Sequence, residues 1–294
     1  MNAAVIIPIY KESPNELELL SLSRCVAILG HYPIIFFGPR SLNPEMYLRI
    51  ARRASKRDFD DSYFASIGTY STLLLSAPFY RAFLDFERVL VHQLDAFVFR
   101  DVLDDWCSRP YDYVGAPWWN ERESSWWGVG NGGFSLRNVR SSLAVLSSAN
   151  KEDPDAYWSM ERLVTASRAK LALKSYRRWK KRLGWRDDVQ SFLARFVAEG
   201  RPEDFFWGLH TVRFQPSFRV APVEVGLEFA IEGGLLEVGD RYASQPPFGC
   251  HQNRFLRMIA RFLRGVEEPD GDYEAAVWRM AEKAGVSPGR ILKR

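Results

Sequence analysis

The sequence predicts an α/β domain with a mostly parallel central sheet flanked by helices. Three observations carry that expectation. The first forty residues read strand, helix, strand, which is how a parallel sheet opens. The same rhythm returns, less cleanly, between residues 58 and 100. The chain has 294 residues, 47% of them hydrophobic and 26% charged, which suits one large domain and excludes wholesale disorder. A chain of this length buries about three quarters of the surface its unfolded form exposes. It needs neither disulfides nor a structural metal to hold together.

In order along the chain, VIIPIY at 5–10 is a buried-strand candidate, ending near Pro8 because proline is awkward in a central strand. ESPNELELLSLSRCVAIL follows with Leu17, Leu20, Cys25, Ile28 and Leu29 close to helical spacing, and Gly30 is the expected stop. PIIFFGP at 33–39 is a second strand, closed by Gly38 and Pro39. TYSTLLLSAPFYRAF reads as helix, with Pro78 kinking it or splitting it in two. FERVLVHQLDAFVFR carries a strong strand signal around a single acidic residue, Asp95. FLARFVAEG reads as a helix stopped at Gly200. VAPVEVGLEFAIE reads as strand-like. Helices are expected after PPFGCH and across DYEAAVWRMAEKAG. The resulting division places one domain at 1–255, with a basic helical insertion at about 155–198, and a helical extension at 256–294.

Composition narrows the function. The three cysteines, Cys25, Cys107 and Cys250, are widely spaced and odd in number, which argues against a disulfide framework and a cysteine-based zinc site. MNAAVIIPIY lacks a basic segment ahead of its apolar run and reads as a first strand, not as a secretion signal; the cytoplasm is the default compartment. No window reaches 18 apolar residues without a charge, so a membrane span is not expected. The net charge is +4, and its distribution says more than its size. Between Arg162 and Arg186 lie ten basic residues and no acidic one, interleaved with Leu163, Leu171, Tyr176 and Trp179. The run admits three readings: a solvated helical insertion, a nucleic-acid surface that no recognition motif supports, and peripheral attachment to an anionic membrane.

Several residues could carry chemistry. A carboxylate in an apolar run is costly if buried alone, so Asp95 is expected at a strand end facing a cleft or a cation. Gln93 shares its face, and His92 points into the core. Hard cations such as Mg²⁺ or Mn²⁺ take oxygen ligands of this kind. Glu203 and Asp204 follow Pro202, where acidic residues favour a helix start; alternatively one of them is a general base, its proton affinity raised by the neighbouring rings. His251 follows a Pro-Pro-Phe-Gly turn and is either a solvated histidine or a late metal or phosphate ligand. Trp118, Trp119, Trp126 and Trp127 lie within ten positions beside Gly128, Gly130, Gly132 and Gly133. Flat rings beside permissive backbone suit a binding cleft, although one or two of the four are expected in the core. No phosphate loop, HExxH, EF-hand or GxGxxG fingerprint is present. No helix is expected after GVGNGG, and Ser135 reads as a strand residue, not as a nucleophile.

VIIPIY, HQLDAFVFRD, YDYVGAPWW, VGNGGFSLR, RPEDFFW and PFGCH occur in that order across residues 3–255. The ordered set resembles an uncharacterised bacterial and fungal domain family regarded as glycosyltransferases, with GNGGFSLR its most specific string. The resemblance implies a GT-A-like nucleotide-diphospho-sugar transferase fold. By that likeness Pro8, Ile9, Tyr10 and Lys11, with Gly38 and Arg40, approach the nucleotide of the donor. Gln93 takes the first acidic position of the usual Asp-x-Asp motif, a departure that bears on metal dependence. Asp95 and His251 would hold Mn²⁺ or Mg²⁺. Asn131, Gly132 and Gly133 would line the donor-sugar side of the cleft, the four tryptophans the acceptor side. Asp204, or less favourably Glu203, would be the base of an inverting transfer to a glycan or lipid-linked glycan hydroxyl. A lipid-linked acceptor would give peripheral attachment to the inner membrane a purpose. A carbohydrate-binding protein without catalysis and a nucleotidyltransferase-like enzyme are the competing classes.

Overall fold

The structure is a computed structural model and describes residues 2–151, 187–234, 242 and 246–251. Its centre is a six-stranded sheet in the order β3-β2-β1-β4-β9-β6. β1 (Ala3–Pro8), β2 (Ile34–Pro39), β3 (Ser55–Phe59) and β4 (Arg88–His92) run parallel. β9 (Phe134–Asn138) is antiparallel to both β4 and β6 (Tyr113–Gly115). The expected α/β architecture, mostly parallel and flanked by helices, is therefore the observed one.

Alternation along β1 explains why the strand is buried on both faces. Ala3, Val5 and Ile7 belong to one apolar cluster with Leu22, Cys25 and Leu29 of α1 (Glu16–Leu29). Ala4 and Ile6 belong to the other, with Leu73, Leu74, Phe79 and Phe83. Such two-sided burial is what a parallel sheet demands of its strands. Pro8 is the last residue of β1, consistent with the early end expected there. Asn15 caps α1 in a reciprocal box with Glu18, and the helix closes at Gly30. After a four-residue helix, α2 (Glu45–Leu48), the Pro78 region resolves into two helices. α3 (Ile67–Leu74) stops, Ser76 caps anew, and Pro78 sits in the first turn of α4 (Ala77–Arg81). Proline is tolerated there because the first-turn amides lack intrahelical partners anyway.

Beyond β4 the chain turns at Leu94 and Asp95 and forms β5 (Phe97–Val98). A helix, α5 (Leu103–Ser108), leads to β6. β7 (Pro117–Asn120) and β8 (Ser125–Val129) then make a separate hairpin, with an irregularity between Trp118 and Trp119. GVGNGG runs directly into β9, with no helix, and Ser135 is a buried strand residue as expected. α6 (Val139–Leu146) and the helix Val189–Ala198 cover the sheet, and Gly200 ends the latter at a φ of 68°.

VAPVEVGLEFAIE departs from its strand-like expectation. Val223–Phe229 is a helix, and only Ala230–Ile231 (β10) is extended. Glu224 and Glu228, four residues apart, are both exposed, while Gly226 and Leu227 are buried. The segment thus has the 3.6 period of a helix, which its β-branched residues conceal. β10 pairs with β11 (Gly249–Cys250), which pairs with β5. Most of the insertion at about 155–198 and all of the extension at 256–294 lie outside the described residues, as does the basic run 162–186.

Candidate functional site

The site gathers at the carboxyl edge of the parallel strands. The chain passes from β1 to β2 and β3 on one side, then returns to β4 on the other. The segments leaving β1 and β4 therefore flank a topological switch point, where open α/β sheets form their crevice. Pro8, Ile9, Tyr10 and Lys11 leave β1 there. Ile9 is buried and bonded through its amide to the Phe37 carbonyl, whereas Tyr10 is 61% exposed. Lys11 pairs with Glu18 at 2.7 Å. Gly38 lies in β2 against Ile9, and Arg40 follows that strand with an exposed side chain.

His92 ends β4 fully buried, its ring edge-on to Phe134. Burial lowers its pKa to about 4, so it is the neutral core histidine the sequence suggested. Gln93 and Asp95 lie beyond the strand, in the turn closed by the Ala96 amide on the Gln93 carbonyl. They share a direction because of that turn, not because of strand alternation. His251, brought in by β11, meets both. Its Nε2 lies 3.2 Å from Gln93 Oε1 and 3.3 Å from Asp95 Oδ1, and its Nδ1 lies 3.3 Å from Glu232 Oε1. Burial alone would lower the His251 pKa, but bonds to Asp95 and Glu232 and their charges raise it to about 9. The reciprocal effect holds Asp95 below the usual carboxylate range, although burial pulls the other way. Among the described residues no group of three or more His, Cys, Asp and Glu side chains is placed to hold a metal. The converging donors here are one carboxylate, one imidazole and one amide oxygen.

Glu203 and Asp204 begin a short helical turn after Pro202, as the helix-start reading of the pair expects. Their environments differ. Glu203 is 5% exposed and holds Arg137 through two bonds of 2.7 and 3.1 Å. A carboxylate locked in a bidentate buried pair is a poor base. The Asp204 carboxylate accepts from the Phe205 amide at 2.8 Å, and its side chain packs against Gly132. Burial, then repulsion by Glu203 and Glu232, raises its pKa to about 7.

Asn131, Gly132 and Gly133 join the two halves. Asn131 is buried, and its side-chain oxygen accepts from the Gly133 amide at 2.9 Å. A methyl group on Gly132 would stand 2.3 Å from Glu203 Oε1, and one on Gly133 2.0 Å from His251 Nε2. Neither position has room for a side chain, so the glycines of GNGGFSLR let Glu203 and His251 close on the same backbone. Arg137, within the same string, and Glu232 were not singled out from the sequence. Arg137 carries a signal in hindsight: an arginine amid the apolar residues of a central strand requires a buried anion.

The tryptophans do not form one wall. Trp118 is 8% exposed, stacked on Trp127 with centroids 4.8 Å apart and met edge-on by Phe205. Trp119 and Trp126 pair separately at 4.7 Å, against Gly233 and Gly234. Trp118 is engaged in packing, while Trp119, Trp126 and Trp127 remain partly exposed.

No curated protein sequence matches the chain. Among solved structures it is similar to apo mouse xyloside xylosyltransferase 1, at 12% identity over 86% of this chain and 98% of that one, with a TM-score of 0.44. It is similar to the galactosyltransferase LgtC in complex with donor and acceptor sugar analogs, at 11% identity over 93% and 99%, TM-score 0.44. Apo GlyE of Streptococcus pneumoniae gives 13% identity over 97% of this chain and 64% of that one, TM-score 0.43. The sequence profile of DUF5672, described as a protein of unknown function, matches residues 53–251. That span runs from the start of β3 to His251 and takes in Gln93, Asp95, the Asn131–Gly133 turn, Glu203 and Asp204, and the chain belongs to the DUF5672 family.

Proposed function

We propose that the chain is a GT-A-like glycosyltransferase that moves a sugar from a nucleotide-diphosphate donor to a hydroxyl of a glycan acceptor, with inversion. One observation carries the reading. Of two adjacent glycines, Gly132 packs against Glu203 and the side chain of Asp204, whose pKa is about 7, and Gly133 against His251 and Gln93 of the cluster that includes Asp95. Glycosyl transfer needs a base for the attacking hydroxyl and, beside it, neutralisation of the departing diphosphate; His251 is already paired with Asp95 and Glu232, so a cation held by the cluster would supply that second function. The ordered motif set adds the family-level likeness.

In this reading Asp204 takes the acceptor proton as the hydroxyl oxygen bonds to the anomeric carbon. The bond from that carbon to the diphosphate oxygen breaks, and the nucleoside diphosphate leaves with the electron pair. The Ile9–Lys11 segment, Gly38 and Arg40 form the nucleotide side, and the partly exposed Trp119, Trp126 and Trp127 offer faces to the acceptor. Gln93 Oε1 and Asp95 Oδ1 lie 3.2 and 3.3 Å from His251 Nε2, and a mixed oxygen and nitrogen set of this kind would suit Mn²⁺ better than Mg²⁺. A cation held there would supply charge neutralisation to the diphosphate. A lipid-linked acceptor and a membrane-facing role for residues 162–186 rest on the sequence alone; no helix among the described residues is long and apolar enough to cross a membrane.

The test is calorimetric titration with UDP-, GDP-, dTDP- and CMP-linked sugars, each with and without Mn²⁺. Binding of one nucleotide class, with product formation once an acceptor is added, is the expected result. Sugar binding with no nucleotide affinity would sink the reading in favour of a carbohydrate-binding protein. Preference for a nucleoside triphosphate would point to nucleotidyl transfer.

A further inference from the structure

The Arg137 guanidinium is 0% exposed and every one of its donors is used. Nη2 donates to Glu203 Oε1 at 2.7 Å and to the Gly132 carbonyl at 3.3 Å. Nη1 donates to Glu203 Oε2 at 3.1 Å and to the Tyr80 hydroxyl at 3.1 Å. Nε donates to Ser135 Oγ at 3.0 Å, and that hydroxyl donates to the Gly132 carbonyl at 2.9 Å. The Gly132 carbonyl is thus held twice, and the Asp204 side chain packs against the same residue: a methyl group on Gly132 would stand 3.3 Å from Asp204 Cβ. Glu203 Oε1 also fills the space where a Gly132 side chain would stand.

Stability alone does not call for this arrangement. Desolvating two charges offsets most of their attraction, and a well-packed apolar pair of similar volume is often as stable. What the ion pair supplies that an apolar pair cannot is direction, through a planar fork with fixed donors. We propose that the Arg137–Glu203 pair is a positioning device for Asp204, fixing both the preceding residue and the Gly132 peptide against which the Asp204 side chain packs. Neither residue touches substrate in this scheme. The inference rests on the reading of Asp204 as the base and deepens it.

The charged groups facing Asp204 are Glu203, Glu232 and, across Glu203, Arg137. Burial raises its proton affinity most and these carboxylates add to it, so the pair bears on the pH at which Asp204 can act.

The experiment compares wild type with Arg137→Lys, Glu203→Gln and the apolar double variant Arg137→Met/Glu203→Leu. The readouts are kcat, donor KM and the pH profile, and separately the ¹³C titration of the Asp204 carboxyl. Glu203→Gln removes a negative neighbour and should move the acid limb down by about one pH unit, a tenfold change in proton affinity. Arg137→Lys should lower kcat about tenfold or more, with donor KM within about twofold. The double variant covers the case in which a single variant, left with an unpaired buried charge, does not fold. It should fold and still lose kcat about tenfold or more, with an altered Asp204 titration. A double variant with wild-type kcat and an unmoved titration would overturn the inference and leave the pair a structural one. Should Asp204→Asn retain turnover, the base reading fails on its own. The carboxyl titration, which needs no turnover, then decides the positioning claim: a midpoint shared by wild type and double variant overturns it, and a displaced one upholds it.

Discussion

At residue scale the outcome turns on two adjacent carboxylates with opposite surroundings. Glu203 is neutralised by Arg137, whereas Asp204 is buried beside Glu203 and Glu232 with only amides to offset them. Its pKa of about 7 predicts an acid limb in donor-dependent turnover. Below that pH Asp204 is protonated, and in its proposed role as base the rate should fall about tenfold for each unit. Asp204→Asn should cut kcat by about 10²–10⁴-fold while nucleotide affinity, measured by calorimetry, stays within about twofold. A raised carboxylate also has a stability consequence. The folded state binds the proton more tightly than the unfolded one. Its contribution is therefore full below the ordinary carboxylate value of 3.8 and lost as pH rises through about 7. Wild type should lose more stability than Asp204→Asn between pH 4 and 7 in parallel denaturant titrations; identical slopes would show that Asp204 is not perturbed. The sequence placed Asp204 and Glu203 next to aromatics and no more. It could not separate them, because the separating group, Arg137, lies 66 positions away on β9.

At the scale of elements, the β7–β8 hairpin shows what composition can and cannot say. Four tryptophans beside glycines suggest one cleft wall, and the hairpin instead holds two separate pairs. Which rings face solvent was not legible, because the irregularity between Trp118 and Trp119 resets the alternation that strand periodicity relies on. Trp118 is sandwiched between Trp127 and Phe205, with Gly128 and Gly130 against its ring. Trp118→Ala should destabilise the fold by about 3–5 kcal/mol, the range for emptying a large aromatic site, read as a lowered denaturant midpoint. Trp119→Ala removes a partly exposed ring and should cost far less stability while weakening acceptor binding. Equal stability losses from both would mean that the hairpin has no open aromatic face. Elements whose burial follows a single period, β1, β2 and α1, were legible almost to their ends. Val223–Phe229 was not, because three of its seven residues are β-branched or aromatic and mimic a strand.

Across the whole molecule, three segments far apart in sequence converge on one charged cluster: Gln93 and Asp95 after β4, the glycine turn before β9, and His251 after β11. The sequence presents these as separate motifs; only the sheet order, with β9 beside β4 and β11 beside β5, makes them neighbours. A site assembled this way should report ligand binding as global stability, since a cation that binds the folded chain alone stabilises it by mass action. Mn²⁺ at about 100 times its dissociation constant should add about 2.7 kcal/mol, visible as a raised unfolding midpoint. Asp95→Ala should abolish the response. Gly133→Ala should abolish it as well, although residue 133 offers no ligand, because the added methyl group would meet His251 at 2.0 Å and Gln93 at 2.7 Å and force them apart. A Mn²⁺ response that survives both substitutions would place the cation elsewhere. No response in wild type, together with nucleotide-sugar binding in calorimetry, would leave the diphosphate to be neutralised by basic side chains, since the His251 charge is already met by Asp95 and Glu232.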